Sequence, residues 1–187
     1  KGIIRGMGTV LLAFSGGVDS TFLLKVAHDE LGGRVVALTG LSPIHPDWEI
    51  HDAKRIALEI GARHLVVETN ELIRRKFSQN TLRRCYYCKK ELFEICRKRA
   101  KDFHLDWVAD GSNYDDRKDF RPGMEAAKEQ AIRSPLLEAG LTKDHIRKLS
   151  KRLDLWTWAK PAFSCLSSRV PYGTEINREL LDRISKC

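Results

Sequence analysis

Six consecutive residues, Ser15, Gly16, Gly17, Val18, Asp19 and Ser20, carry the most explicit chemistry in the chain. Two adjacent glycines let backbone N–H groups close around an anion without Cβ atoms in the way, and the flanking serines add hydroxyl donors. Asp19 is the discordant member. A carboxylate beside bound phosphates repels them unless a cation bridges the two, and Mg²⁺ is the ordinary bridge. The string lacks the G-x-x-x-x-G-K-S/T spacing and the lysine of the loop that serves γ-phosphoryl transfer, and it is not G-x-G-x-x-G. The plainer alternative for Asp19 and Ser20 is helix capping, which needs no ligand.

Sulfur is the second source of chemistry. Five cysteines, an odd number with no secretory signal, argue against a disulfide framework and for metal or reactive sites. Cys85 and Cys88 stand at i and i+3 in R-C-Y-Y-C-K-K and face one way at a helical start. A four-cysteine zinc site needs a second C-x-x-C, which is absent, and no histidine stands at a knuckle-like spacing from the pair. Cys165 lies within residues 160–173, a stretch dense in Ser and turn residues, and such loops carry function. Cys96, beside Leu92, Phe93 and Ile95, reads as a small helix residue, and the terminal Cys187 reads as incidental.

Strands and helices must alternate to hold these groups. Residues 9–14 form a short, β-branched apolar run that reads as a buried strand, and residues 20–31 follow as a helix ending at Gly32-Gly33. Further strands are expected at 34–39, 64–68 and 107–109, with a helix at 47–60 and a mainly helical basic stretch to about 101. Thr142 caps another helix, and a last short one is expected near 177–185. Continuous apolar strands between helices predict an α/β, doubly wound parallel sheet covered on both faces. Ligands then sit beyond the carboxyl ends of the strands, in the loops after Phe14, Thr39, Glu68 and Ala109.

At 187 residues, and about 150 per domain, the chain has enough length for one sizeable core. The longest apolar run is the five residues 10–14, far short of the ~20 needed to span a membrane. No signal peptide follows from it either, so a cytoplasmic protein is expected. Residues 74–101 hold eleven Lys or Arg and two Glu, a local +9 that accounts for the entire +8 of the chain. Such a strip binds phosphates or nucleic acid, or is a solvated helix face.

A strand running through S-G-G-x-D-S straight into a helix resembles the signature of the PP-loop ATP pyrophosphatases. The resemblance implies ATP bound with its pyrophosphate in residues 15–20, attack of a substrate oxygen on the α-phosphorus, and an adenylate that a nucleophile displaces. Residues 111–116, 120–123, 133–143 and 160–173 together look like the LarE family, over about residues 8–177. That family is the ATP-dependent sulfur transferase acting on a pyridinium dicarboxylate mononucleotide, for a nickel-pincer cofactor. It implies a PP-loop domain over residues 1–155, then a cysteine-bearing loop over 156–187 opening a further carboxyl-terminal region. One subset of the family gives up the sulfur of a loop cysteine, and another holds a 4Fe-4S cluster on three cysteines. With Cys85, Cys88 and Cys165, this chain resembles the cluster type.

The reading that follows places ATP at Ser15 to Ser20, with adenine near Thr39 and Gly111 and Mg²⁺ on Asp19. Arg121, Arg133, Ser168 and Arg169 would receive the phosphate and carboxylates of the substrate, each arginine having a structural ion pair as its alternative. Asp19, Cys165 and Arg169 are the expected catalytic residues. The expected partners are the mononucleotide, sulfide or a sulfur donor, and a second copy of the chain, with no membrane and no nucleic acid. Two rivals remain: a transfer-RNA thiolation enzyme using the basic strip, and a nucleotide- or cluster-binding module without catalysis.

Overall fold

A computed structural model describes residues 1–186, and Cys187 lies outside the described residues. In chain order the elements are α1 (Gly2–Arg5), β1 (Val10–Ala13), α2 (Val18–Leu31), β2 (Val35–Leu41), α3 (Asp47–Ile60), β3 (Arg63–Glu68) and α4 (Arg75–Ser78). They continue as α5 (Arg84–Asp102), β4 (Trp107–Ala109), α6 (Pro122–Glu129), α7 (Pro135–Glu138), α8 (Lys143–Arg152) and α9 (Arg178–Ser185). The strands form one sheet in the order β3-β2-β1-β4, all parallel, with Leu12 opposite Ala37 on one side and Ala109 on the other.

Every residue of β1 is buried, and alternation along it fills two separate layers. Val10 and Leu12 pack with Phe22, Leu23 and Ala27 of α2 and Ile56 of α3. Leu11 and Ala13 pack on the opposite face with Phe93 and Cys96 of α5 and Ala126 of α6. The expected doubly wound α/β sheet is therefore what the sequence folds into. The chain steps outward from β1 through β2 to β3 and then returns to the other flank of β1 as β4. That reversal opens a crevice beyond the carboxyl ends of β1 and β4, where ligands bind in such sheets.

Two further features of the fold have physical causes. The basic stretch is split into α4 and α5 by Asn80, which sits in the left-handed region with φ 51°. Asparagine tolerates that conformation, and its amide is used there, donating to the carbonyls of Val170 at 3.3 Å and Pro171 at 2.8 Å. Residues from 156 onward form no independent layer. Leu166, Val170, Ile176 and Leu181 pack with Ile44 and Phe77 in a third apolar cluster, on the α4 side of the sheet domain. Among the described residues no helix is long and apolar enough to cross a membrane.

Candidate functional site

The turn from β1 to α2 makes the anion cradle. Gly16 has φ 69°, and a Cβ there would lie 3.1 Å from the Cα of Ala53 in α3, so only glycine fits. Gly17 caps α2 with no side-chain hydrogen bond, which leaves the first-turn N–H groups of the helix free for a ligand. Ser15 and Ser20 face each other with hydroxyls 3.1 Å apart, and the Ser20 hydroxyl donates to the Gly17 carbonyl at 3.2 Å. Gly111, after β4, lies against this turn, since a Cβ on it would stand 3.0 Å from the Ser20 nitrogen. Two of the sequence-predicted loops thus come together at the topological switch.

Asp19 is not serving as a cap. One carboxylate oxygen, Oδ2, pairs with the Lys143 ammonium and accepts from the Asn113 amide at 3.3 Å. The other, Oδ1, is buried and has no partner among the described residues. A buried carboxylate oxygen without a donor is costly unless a cation meets it, so the donor set fits a magnesium ion. Asn113 is itself fixed, accepting from the Asp115 N–H at 2.9 Å, and the Asp116 carboxylate accepts from the Asn113 N–H at 2.9 Å.

Two lysines that sequence reading passed over converge here. Lys143 opens α8 and reaches Asp19 across 124 residues of chain. Lys160 has a side chain only 12% exposed, and its ammonium donates to the Gly16 carbonyl at 3.3 Å and to Asp52 at 2.8 Å. The same ammonium lies over the rings of Trp48 at 5.3 Å and Trp156 at 5.7 Å. Lys160 is also the first residue of the cysteine-bearing stretch, so that stretch is tied directly to the phosphate loop. The available signals were the Thr142 cap preceding Lys143 and the Lys160-Pro161 pair.

The loop around Cys165 folds back over the start of α5. Arg84, 4% exposed, donates to the Ser167 carbonyl at 2.8 Å and to the Asn80 side chain. It therefore clasps the loop rather than standing free as a surface cation. Leu166 N–H donates to the Ile44 carbonyl at 2.8 Å. Cys88 and Cys165 border the same apolar cluster, whereas Cys85 is exposed one turn earlier. Burial, and then the neighbouring Glu71 carboxylate, push the Cys88 thiol well above its ordinary range, with Cys165 and Cys85 adding to the effect. Cys96 is buried in the α5 layer, its thiol pushed up to about 12 by desolvation. The three thiols share one region, yet among the described residues no group of three or more His, Cys, Asp or Glu is arranged to hold a metal ion.

The remaining predicted residues divide by what they touch. Thr39 is buried with its hydroxyl donating to the Phe14 carbonyl at 2.7 Å, and His64 Nε2 lies 2.8 Å away. Arg121 pairs with Asp116 at 3.0 Å and Asp119 at 3.6 Å. Arg133 makes a two-pronged pair with Glu138, which holds that carboxyl below its ordinary range. Arg169 instead lies over the ring of Phe163 at 4.7 Å, and the Ser168 hydroxyl is 3.3 Å from the Cys165 sulfur. Several basic-strip residues are already partnered, Arg74 with Glu91, Arg83 with Glu125 and Arg99 with Asp102.

Comparison with known proteins finds relatives of two kinds. The chain is 27% identical over 192 residues to the tRNA-specific 2-thiouridylase MnmA of Rickettsia africae, covering 82% of this chain and 52% of that enzyme. The four-stranded parallel sheet between helices is consistent with the PP-loop superfamily of that enzyme. The chain is also 35% identical over 182 residues to the pyridinium-3,5-bisthiocarboxylic acid mononucleotide synthase of Lactiplantibacillus plantarum, over 97% of its own length. It is 46% identical over 176 residues to an uncharacterized protein of Synechocystis sp., over 94% of its own length. The chain spans about two thirds of the length of these two relatives, 66% in each case. No protein-family profile matches it.

Proposed function

We propose that the chain is an ATP-dependent sulfurtransferase of the LarE type, within the PP-loop superfamily. It would adenylylate a carboxylate of a pyridinium dicarboxylate mononucleotide and replace the adenylate with sulfur, in a route to a nickel-pincer cofactor. The observation that carries this reading is the Lys160 bond to Gly16, which joins the stretch bearing Cys165 to the loop that would hold ATP. The synthase similarity supports the substrate class.

Residues 15–17 and the first turn of α2 would take the pyrophosphate portion of ATP, and Asp19 would hold Mg²⁺ through its unpartnered oxygen. When bound, that ion offsets phosphate charge. A substrate carboxylate oxygen forms its bond to the α-phosphorus as the bond to the bridging oxygen breaks, and the electron pair leaves with pyrophosphate. A sulfide nucleophile then adds at the activated carbon and expels AMP, leaving the thiocarboxylate. Adenine would lie toward Thr39 and Gly111, at the ends of β2 and β4. Arg169 and Ser168, beside Cys165, would receive the anionic groups of the substrate. Arg121 and Arg133, already paired with carboxylates, would contribute by exchanging partners.

Once the loop bearing Cys165 brings its thiol against the other two, Cys85, Cys88 and Cys165 would hold a 4Fe-4S cluster, which delivers sulfide when bound. Arg83 and Lys89, flanking the pair on α5, would offset its charge. The test is anaerobic reconstitution followed by incubation with ATP, the mononucleotide and free sulfide. Expected products are AMP, pyrophosphate and thiocarboxylate in equal amounts, with about four irons and four sulfides per chain. Iron should be lost on Cys85→Ala, Cys88→Ala or Cys165→Ala and kept on Cys96→Ala. Sulfur loss at Cys165 after one turnover in iron-free protein would replace the cluster route with a sacrificial one. The thiouridylase similarity and the basic strip favour a second reading, transfer-RNA thiolation. Transfer RNA held tightly above ~200 mM salt, with a thiolated base as product, would carry that reading instead.

A further inference from the structure

The phosphate loop contains no lysine of its own, yet an ammonium group stands at its acidic residue. We infer that Lys143 is the cation that this loop lacks, contacting the phosphates of the bound nucleotide from its seat on Asp19. The inference rests on the proposed use of ATP and adds a catalytic residue on a different element, α8.

Lys143 is fixed at its backbone and has donors to spare at its tip. Its N–H donates to the Asp115 carboxylate at 2.9 Å, at the first position of a helix capped by Thr142. Ile146, one turn along, is fully buried in the α2 layer, so the start of α8 has a fixed place relative to the loop. The side chain, 37% exposed, ends on Asp19 Oδ2, its one partner among the described residues. An ammonium has three N–H donors, and this pairing uses one. Asp19 divides its oxygens, Oδ2 meeting Lys143 and Asn113 while buried Oδ1 is left for a divalent ion. The two cations would therefore flank the same phosphates. In adenylyl transfer the lysine keeps its proton throughout and offsets the charge that grows on the α-phosphoryl oxygens and the departing pyrophosphate.

A simple counter-ion role for Lys143 makes a different prediction, which a double-mutant cycle separates. Affinity for α,β-methylene ATP is measured by calorimetry in Mg²⁺, with no turnover required. Lys143→Met should weaken binding about tenfold, the loss of one charge-assisted contact. If Lys143 contacts phosphate, Asp19→Asn/Lys143→Met should bind about tenfold more weakly than Asp19→Asn alone. If it only neutralises Asp19, the double variant should match Asp19→Asn, and the inference is overturned. Lys143→Arg should recover most of the affinity. The pair is half-exposed, so Lys143→Met should melt within about 3 °C of the parent. Should Lys143→Met not fold, Lys143→Gln enters the same cycle. Binding that holds to this pattern without sulfur transfer would leave the inference standing and remove only the proposed reaction.

Discussion

Between β1 and α2, the phosphate loop makes its internal hydrogen bonds to residues no more than five positions away, Ser15 to Ser20 and Ser20 to Gly17. Residues 160–173 are held by the opposite means. Arg84 reaches Ser167 across 83 residues, and Asn80 reaches Pro171 across 91. One half of the proposed site inherits its shape from a strand running into a helix, and the other from buried side chains gripping main-chain carbonyls. The first kind of construction survives changes elsewhere in the protein, whereas the second depends on distant partners, these two clasps and the Leu166 bond to Ile44 among them. Lys160, on Gly16, is where the two meet.

Changes on either side of that junction should therefore part the two halves of the reaction. The largest effect is expected from Asp19→Asn. Pyrophosphate release with substrate present should fall about 100-fold or more, the scale of losing a preorganised electrostatic group, with the melting temperature within about 3 °C of the parent. Turnover like the parent would remove Asp19 from the chemistry. Arg84→Met comes next, leaving the Ser167 carbonyl and the Asn80 side-chain oxygen without their buried donor. It should cost about 2–4 kcal/mol in urea unfolding and expose residues 160–173 to protease. Nucleotide affinity should change little. Equal loss of nucleotide binding and loop protection would mean that the halves are not built separately.

The smallest effect concerns His64, which braces Thr39 beneath the phosphate loop. Burial, with the Lys54 charge second, lowers its pKa from the ordinary 6.5. The folded state then binds fewer protons than the unfolded one between the two values, so stability rises with pH through that window. It is full above pH 6.5 and declines as pH falls toward the lower folded value. Melting temperatures from pH 7.5 to 5 should decline less steeply in His64→Gln, which carries no ionising ring at that site. Identical slopes would mean that the imidazole charges as easily in the folded protein as in the open chain.

What could be read from sequence follows the same division. The apolar run of β1, the paired glycines and the helix behind them announce themselves within a few residues, and so do the strands and the parallel sheet. Helix α5 was visible too, but not the break at Asn80, whose left-handed backbone is sustained by carbonyls some ninety residues away. Lys143 and Lys160 resemble any surface lysine in a basic chain until the fold delivers them to Asp19 and Gly16. Arg84 is hidden for the same reason. It stands directly after exposed Arg83, and only burial separates the two. Arg121 and Arg133 were visible as arginines, but not their carboxylate partners.

The grip of Asn80 on Val170 and Pro171 also closes the middle of the chain into a hoop. Within that hoop, Arg117 and Lys118 lie exposed after β4. Arg83 pairs with Glu125 at 3.0 Å, the Tyr86 hydroxyl donates to Glu129 at 2.7 Å, and Ala109 bridges to Arg133. Each of these contacts spans the exposed stretch. A tryptic cut after Lys118 would sever the covalent path between the phosphate loop and Lys143 without separating them. The two fragments should elute together under native conditions and come apart only in denaturant, so continuity of the backbone at that point is dispensable to the folded molecule.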